Sequence, residues 1–351
     1  MLALLTGLWA GLARLGWDVP LPRPGFSSLH GPLMVSGFLG TLIGLERAVA
    51  LGRPWAYAAP LLTGLGGVSA IVGAPLLAAQ WLMLAGSLGL VAIFAAIIRR
   101  HPALYTFTMG GGSLVWALGN LLWCLGWPVF LVVFWWAAFL VVTIAGERLE
   151  LARLQQVTGA AQATLLLLLG VLLTGLLLLV WSYDGGVRLF GLGLAGLALW
   201  LGRYDIARRT VTQTGLTRFI AICLLTGYVW LGISGVSAMW FGGVPVGPQY
   251  DATLHAFFLG FVFAMIFAHA PIIFPAVLGA RMTYRPLFYA HVVLLQVTLA
   301  VRVVGDVSGW GAGRQVGGLL NAVTLFLFLV NTVSALQSPP ERAGTAQGRG
   351  A

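Results

Sequence analysis

The chain has 351 residues, 60% of them apolar or aromatic and only 8% charged. A soluble domain carries roughly a quarter charged residues, so a water-soluble protein is excluded. The formal charge of +10 comes from 19 basic residues, all of them arginine, against 9 acidic ones. These arginines are spread singly and form no patch interleaved with aromatics, which argues against a nucleic-acid partner.

In chain order, twelve apolar runs follow one another between Leu2 and Leu336, bounded by Arg, Pro or Gly clusters. They centre near Trp9, Phe38, Gly66, Ser87, Leu114, Ala137, Leu172, Leu194, Val229, Phe263, Leu295 and Thr324. Runs of about 17 to 25 apolar residues are the length of membrane-spanning helices. The expected fold is therefore an all-α polytopic membrane helical bundle of about twelve spans over residues 1–337, with 338–351 as a disordered tail. The first run lacks a basic leader and a small-residue cleavage site, and it reads as a retained helix rather than a signal peptide.

Counting arginines by loop gives 14 on the side of the even-numbered span ends and the tail, against 5 on the other. Cytoplasmic loops are enriched in positive charge, so both termini are expected in the cytoplasm. Spans two, six and ten end in Leu45-Glu46-Arg47, Gly146-Glu147-Arg148 and Gly279-Ala280-Arg281. Either the same charge rule produces this, or the chain contains three pseudo-repeats of four helices.

Histidine is the informative residue type, because an ionisable group inside a bilayer is costly and usually functional. The five are His30, His101, His255, His269 and His291. His30 opens span two and His255 lies about one turn into span ten, so both are expected near the outer face. His269 follows His255 by 14 residues, roughly 21 Å deeper on nearly the same helix face. His291 starts span eleven and is expected to meet His269 near the cytoplasmic level, where the two hold a metal or simply hydrogen-bond. His101 follows Arg99-Arg100 and is expected in a solvated inner loop.

Two neutral imidazoles facing each other across a bundle form the ligand set of a low-spin haem. In Ser27-Ser28-Leu29-His30-Gly31-Pro32 the serines can cap a helix start and Pro32 suits its first turn. Gly31 removes bulk beside the imidazole. Gly37, Gly40 and Gly44 leave room for a flat macrocycle or for close helix packing. Arg302 and Asp306, one turn apart in span eleven, form an ion pair or offer a cation to haem propionates. Five histidines are too few for a complete haem–copper oxidase centre. Glu46, Glu147 and Glu150 lie beside arginines at the inner side, as helix-end ion pairs or as proton acceptors. Cys124 and Cys223 form no metal-binding or haem-attachment motif and read as core residues.

His30-Gly31-Pro32-Leu33-Met34, followed by Gly37-Phe38-Leu39-Gly40, resembles the second-helix pattern of haem–copper oxidases. The whole membrane domain is more similar to the NnrS family of haem- and copper-containing membrane proteins. The similarity also rests on His255-Ala256 through Gly260, Met265-Ile266-Phe267, Pro271 to Pro275 and Arg302-Val303-Val304-Gly305. The chain departs from the family's commoner His-Glu-Met in helix two. The resemblance implies b-type haem on His30, His255 and a further ligand at His269, and copper as a second metal. It implies three arcs of four helices and a role in nitric oxide metabolism in a bacterial inner membrane. Quinol or a periplasmic electron donor are then candidate partners. A secondary transporter and a quinol-interacting respiratory subunit are the alternative readings.

Overall fold

The computed structural model describes residues 1–152 and 158–337, so the expected tail at 338–351 lies outside the described residues. A bilayer interior offers no hydrogen bonds, and a chain this apolar must satisfy its backbone within helices. The helices are α1 Leu2–Arg14, α2 Phe26–Leu51, α3 Pro54–Val72, α4 Leu76–Arg100, α5 Leu104–Cys124 and α6 Val129–Ala152. They continue with α7 Gly159–Leu178, α8 Tyr183–Tyr204, α9 Gly215–Phe241, α10 Pro248–Val277, α11 Phe288–Ser308 and α12 Gly311–Ser334. A helical turn at Ala207–Thr210 and a two-residue strand pair, Arg281–Met282 with Leu336–Gln337, complete the described secondary structure.

Ten of these helices are long and apolar enough to cross a membrane. The sequence led us to expect twelve. The 13 residues of α1 reach only about 20 Å, short of a hydrocarbon core of roughly 30 Å. In α5, buried Thr106, Thr108, Ser113 and Asn120 dilute the apolar character.

Local sequence sets the helix ends. Thr158 and Ser182 accept hydrogen bonds from Ala161 N and Gly185 N at the starts of α7 and α8. Gly52, at φ 64°, lets α2 stop in a left-handed turn that a side chain would resist.

Successive helices pack side by side, and the contact between α6 and α7 is the thin one. Three helices that are far apart in sequence, α2, α6 and α10, touch one another pairwise at the centre. The unbroken apolar face of α6 is explained by that position, since its side chains are buried on nearly every side from Val132 to Ala145.

Two stretches of wide, π-type helix interrupt the regular geometry, at Leu33–Gly40 in α2 and Ala256–Phe263 in α10. Pro32 has no N–H and removes one ladder donor just before the first. In α10 the prolines Pro271 and Pro275 come later. Wide turns of this kind are rare and concentrate at functional sites.

Candidate functional site

Each wide stretch begins within one turn after a histidine, and the two histidines face each other. The rings of His30 and His255 have centroids 6.1 Å apart with planes inclined by 24°. Eight residues further on, Phe38 and Phe263 repeat the contact at 6.2 Å and 17°. The α2 and α10 helices therefore run parallel and in register across this segment.

Beside the histidine pair lies a cavity of about 370 Å³, within the usual size range of small-molecule sites. It sits at the end of the bundle where α1 and α11 finish and where α2, α6, α10 and α12 start. Leu8, Leu12, Met34, Leu39, Phe258 and Phe263 give it apolar walls, and Arg14, Tyr250, Asp251, Arg302 and Arg314 give it a polar rim.

Hydrogen bonds fix the protonation of both rings. His30 Nδ1 lies 2.7 Å from the Gly7 carbonyl oxygen, so that nitrogen donates. His255 Nδ1 lies 3.0 Å from the Asp251 carbonyl oxygen and 3.2 Å from Asp251 Oδ1, so it donates as well. In the neutral form of each ring the proton is therefore on Nδ1, and Nε2 keeps its lone pair for another partner. A metal-binding histidine is arranged in this way, with its second nitrogen held by a carbonyl or carboxylate.

A feature of α1 that sequence reading passed over makes the His30 arrangement possible. Gly7 and Gly11 form a small-xxx-small pair, the spacing that lets membrane helices approach closely. A Cβ on Gly11 would stand 2.8 Å from His30 Nδ1, and one on Gly7 would stand 2.7 Å from Met34 Sδ. Gly31, by contrast, faces Val129 Cγ1 with ordinary room, 3.6 Å from where a Cβ would lie.

Asp251 is the second residue that sequence reading missed. Its carboxylate takes a forked pair of bonds from Arg302, Nε to Oδ2 at 2.8 Å and Nη2 to Oδ1 at 2.9 Å. Arg302 therefore pairs with Asp251, and of the two readings of Arg302 the ion pair with Asp306 does not form. Asp306 sits instead beside Arg314, Nε to Oδ1 at 2.9 Å, an ion pair without the angles of a hydrogen bond. Two carboxylates thus answer three rim arginines. Arg14 is exposed and makes no ion pair among the described residues.

The remaining histidines are engaged elsewhere, and the expected inner pair does not form. His269 donates from Nδ1 to the Met265 carbonyl oxygen at 2.6 Å and accepts at Nε2 from Arg148 Nη2 at 2.8 Å. Neither nitrogen is left for a metal. His291 is enclosed by Phe219, Phe267, Phe288 and Phe328, with centroid distances of 6.3, 4.7, 6.0 and 5.3 Å. Asn331 Nδ2 can only donate and lies 3.3 Å from His291 Nδ1, which puts the proton on Nε2. That nitrogen has no hydrogen-bond partner, and the Phe267 ring stands nearly perpendicular to the imidazole. His101 is exposed between α4 and α5. Among the described residues no three or more His, Cys, Asp or Glu side chains gather to hold a metal ion. The expectation of copper finds no donor set there.

At the opposite end of the bundle, Arg47 pairs with Glu147 and lies 3.2 Å from Glu46. Together with the bond between Arg148 and His269, these contacts join α2, α6 and α10. Between this cluster and the cavity lie the stacked Phe38 and Phe263.

A family model described as a domain of unknown function (DUF8744) matches residues 1–337. No curated protein and no solved structure matches the chain.

Proposed function

The chain belongs to that family, whose description carries no activity, and from the cavity's geometry we propose a membrane haem protein with His30 and His255 as axial ligands to one b-type haem. One observation carries the reading: two facing imidazoles, both with Nδ1 bonded and Nε2 uncommitted, whose centroids are 6.1 Å apart. A metal bonds an imidazole nitrogen at about 2.0–2.1 Å, so two rings bound on opposite sides of one metal have centres roughly 6 Å apart. The walls are apolar, and three rim arginines face two carboxylates, which leaves Arg14 as the cation without an acidic partner among the described residues. A haem held in this way supplies one-electron transfer or a coordination site for a small gas.

The biological setting rests on the resemblance to the NnrS family, which points to nitric oxide and nitrogen-oxide metabolism. The arginine distribution supports a bacterial inner-membrane protein with both termini in the cytoplasm and the cavity at the outer face. The central contact among α2, α6 and α10 supports three sets of four helices, with α1 and α5 opening the first two. A secondary transporter holds its substrate near the midplane, whereas this cavity opens at one end of the bundle.

The test is an absorption spectrum of detergent-purified protein expressed with ample haem, before and after dithionite. A Soret band with sharp reduced bands is expected, along with its loss or conversion to high spin in His30→Ala and His255→Ala. Protein that folds normally but has no Soret band would sink the proposal.

A further inference from the structure

We infer that the two histidines are unequal ligands: His255 is fixed, and His30 is exchangeable, giving up its position to a small uncharged diatomic ligand as α1 shifts. The inference rests on the haem reading above and adds which bond opens, and to what.

The asymmetry lies in what holds each Nδ1. Both partners of His255 belong to Asp251, one turn earlier in the same helix, and that carboxylate is itself clamped by the fork of Arg302. A carboxylate on the far nitrogen fixes ring orientation and makes the imidazole a stronger donor to a metal. His30 has one partner, the uncharged Gly7 carbonyl. That bond, at 2.7 Å, is not long. The difference is that its acceptor is carried by another helix.

That helix is the shortest of the twelve. It has 13 residues, and Leu2, Leu5 and Trp9 face outward. Against α2 it presents glycines, Gly11 lying directly on the His30 ring and Gly7 on Met34. Beyond its last turn, Trp17 Nε1 donates to the Gln315 carbonyl at 3.3 Å and Gln315 Nε2 donates to the Leu15 carbonyl at 3.0 Å. With a latch at its end and only Gly7 and Gly11 against the His30–Met34 turn, the helix can shift slightly there while Gly7 keeps its bond to His30. His30 would follow Gly7, whereas His255 has no such carrier.

The exchange needs no redox partner. His30 Nε2 would withdraw its lone pair from the bound group, a small lone-pair donor would take its place, and the proton would remain on His30 Nδ1, hydrogen-bonded to the Gly7 carbonyl. The space on the His30 side is walled by Leu8, Leu12, Met34 and Val35, which favours a small uncharged molecule over an anion.

Carbon monoxide is the probe, added to dithionite-reduced protein and followed by the Soret shift and its rate. The wild type is expected to shift. His30→Ala should keep its haem and bind faster. Gly11→Ala, which presses a methyl on the ring, should move the rate in the same direction, while Gly44→Ala, whose Cβ meets only ordinary contacts, should not. His255→Ala should lose the haem, and the milder Asp251→Asn should weaken haem retention in protein that still elutes as a single species. A wild-type Soret band that carbon monoxide leaves unchanged would overturn the inference alone. So would haem retained in His255→Ala but lost in His30→Ala. Absence of any Soret band would defeat the haem reading and this inference with it.

Discussion

At the scale of single residues, the informative quantity is the number of commitments each histidine nitrogen carries. His30 and His255 each keep one free lone pair, His269 keeps none, and His291 leaves Nε2 unpartnered among aromatic rings. Haem content, read from the pyridine haemochrome, should therefore be unchanged in His269→Gln and in His291→Phe. A loss in either would restore an inner metal role. The rim arginine offers a second measurement. Arg302 is only 6% exposed, and Asp251 answers its charge with two bonds. Breaking one partner of a buried ion pair costs about 3–5 kcal/mol. Asp251→Asn should therefore lower the unfolding temperature in detergent well beyond Asp184→Asn, whose ion pair with Arg188 is exposed. Equal effects would mean that Asp251 is not holding a buried charge.

Among the elements, α2 and α10 form a matched pair, with histidine opposite histidine and, eight residues later, phenylalanine opposite phenylalanine. Their close neighbours are admitted by glycine. At Gly40 a Cβ would overlap the indole of Trp116, which is itself held by a hydrogen bond to Ser36 Oγ at 3.2 Å, whereas at Gly44 the nearest atom lies at 3.5 Å. Overpacking against a fixed ring costs about 1–3 kcal/mol, and Ala in place of a helical Gly gains roughly 0.5–1 kcal/mol. Gly40→Ala should thus lower the unfolding temperature and Gly44→Ala should leave it unchanged or raise it; the reverse order would contradict this packing. The helices, the loop arginines and the facing of His30 with His255 were legible in the sequence because hydropathy period, charge and rare residue types are local signals. The Gly7-x-x-x-Gly11 spacing was also there to be read. The wide turns were not, because nothing in Ala256–Phe263 marks a change of helical pitch. Nor was the transfer of Arg302 from Asp306 to Asp251, since the spacing of one turn within a helix says nothing about a carboxylate arriving from another. The role of His291 stays open between ligand and core hydrogen bond in the sequence, which gives depth along a helix but not the ring of phenylalanines around it.

For the whole molecule, the bundle has two polar centres at opposite ends with an aromatic layer between them, and α2, α6 and α10 contribute to both. The cavity end has one cation, Arg14, beyond its two carboxylates among the described residues. The other end is closed upon itself, with Arg47 between Glu46 and Glu147 and with Arg148 on His269. This second cluster is where three helices from distant parts of the chain are bound to one another by charge, and its contribution is measurable as a coupling. If Arg47 and Glu147 hold α2 to α6, Arg47→Gln leaves Glu147 without its cation and Glu147→Gln leaves Arg47 with Glu46 alone, whereas the double variant removes both charges of that pair, Glu46 losing its partner equally in both Arg47 variants. The two single losses should then exceed the loss in the double by about 0.5–3 kcal/mol, the range found for residues in one ion-pair network. Unfolding in mild detergent followed by tryptophan fluorescence would give the four stabilities. The same four proteins should retain the Soret band, because Phe38 and Phe263 separate the cluster from the histidine pair. Strict additivity would show that the helices are held by apolar packing alone, and loss of haem in the double variant would show that the two ends of the molecule are not independent.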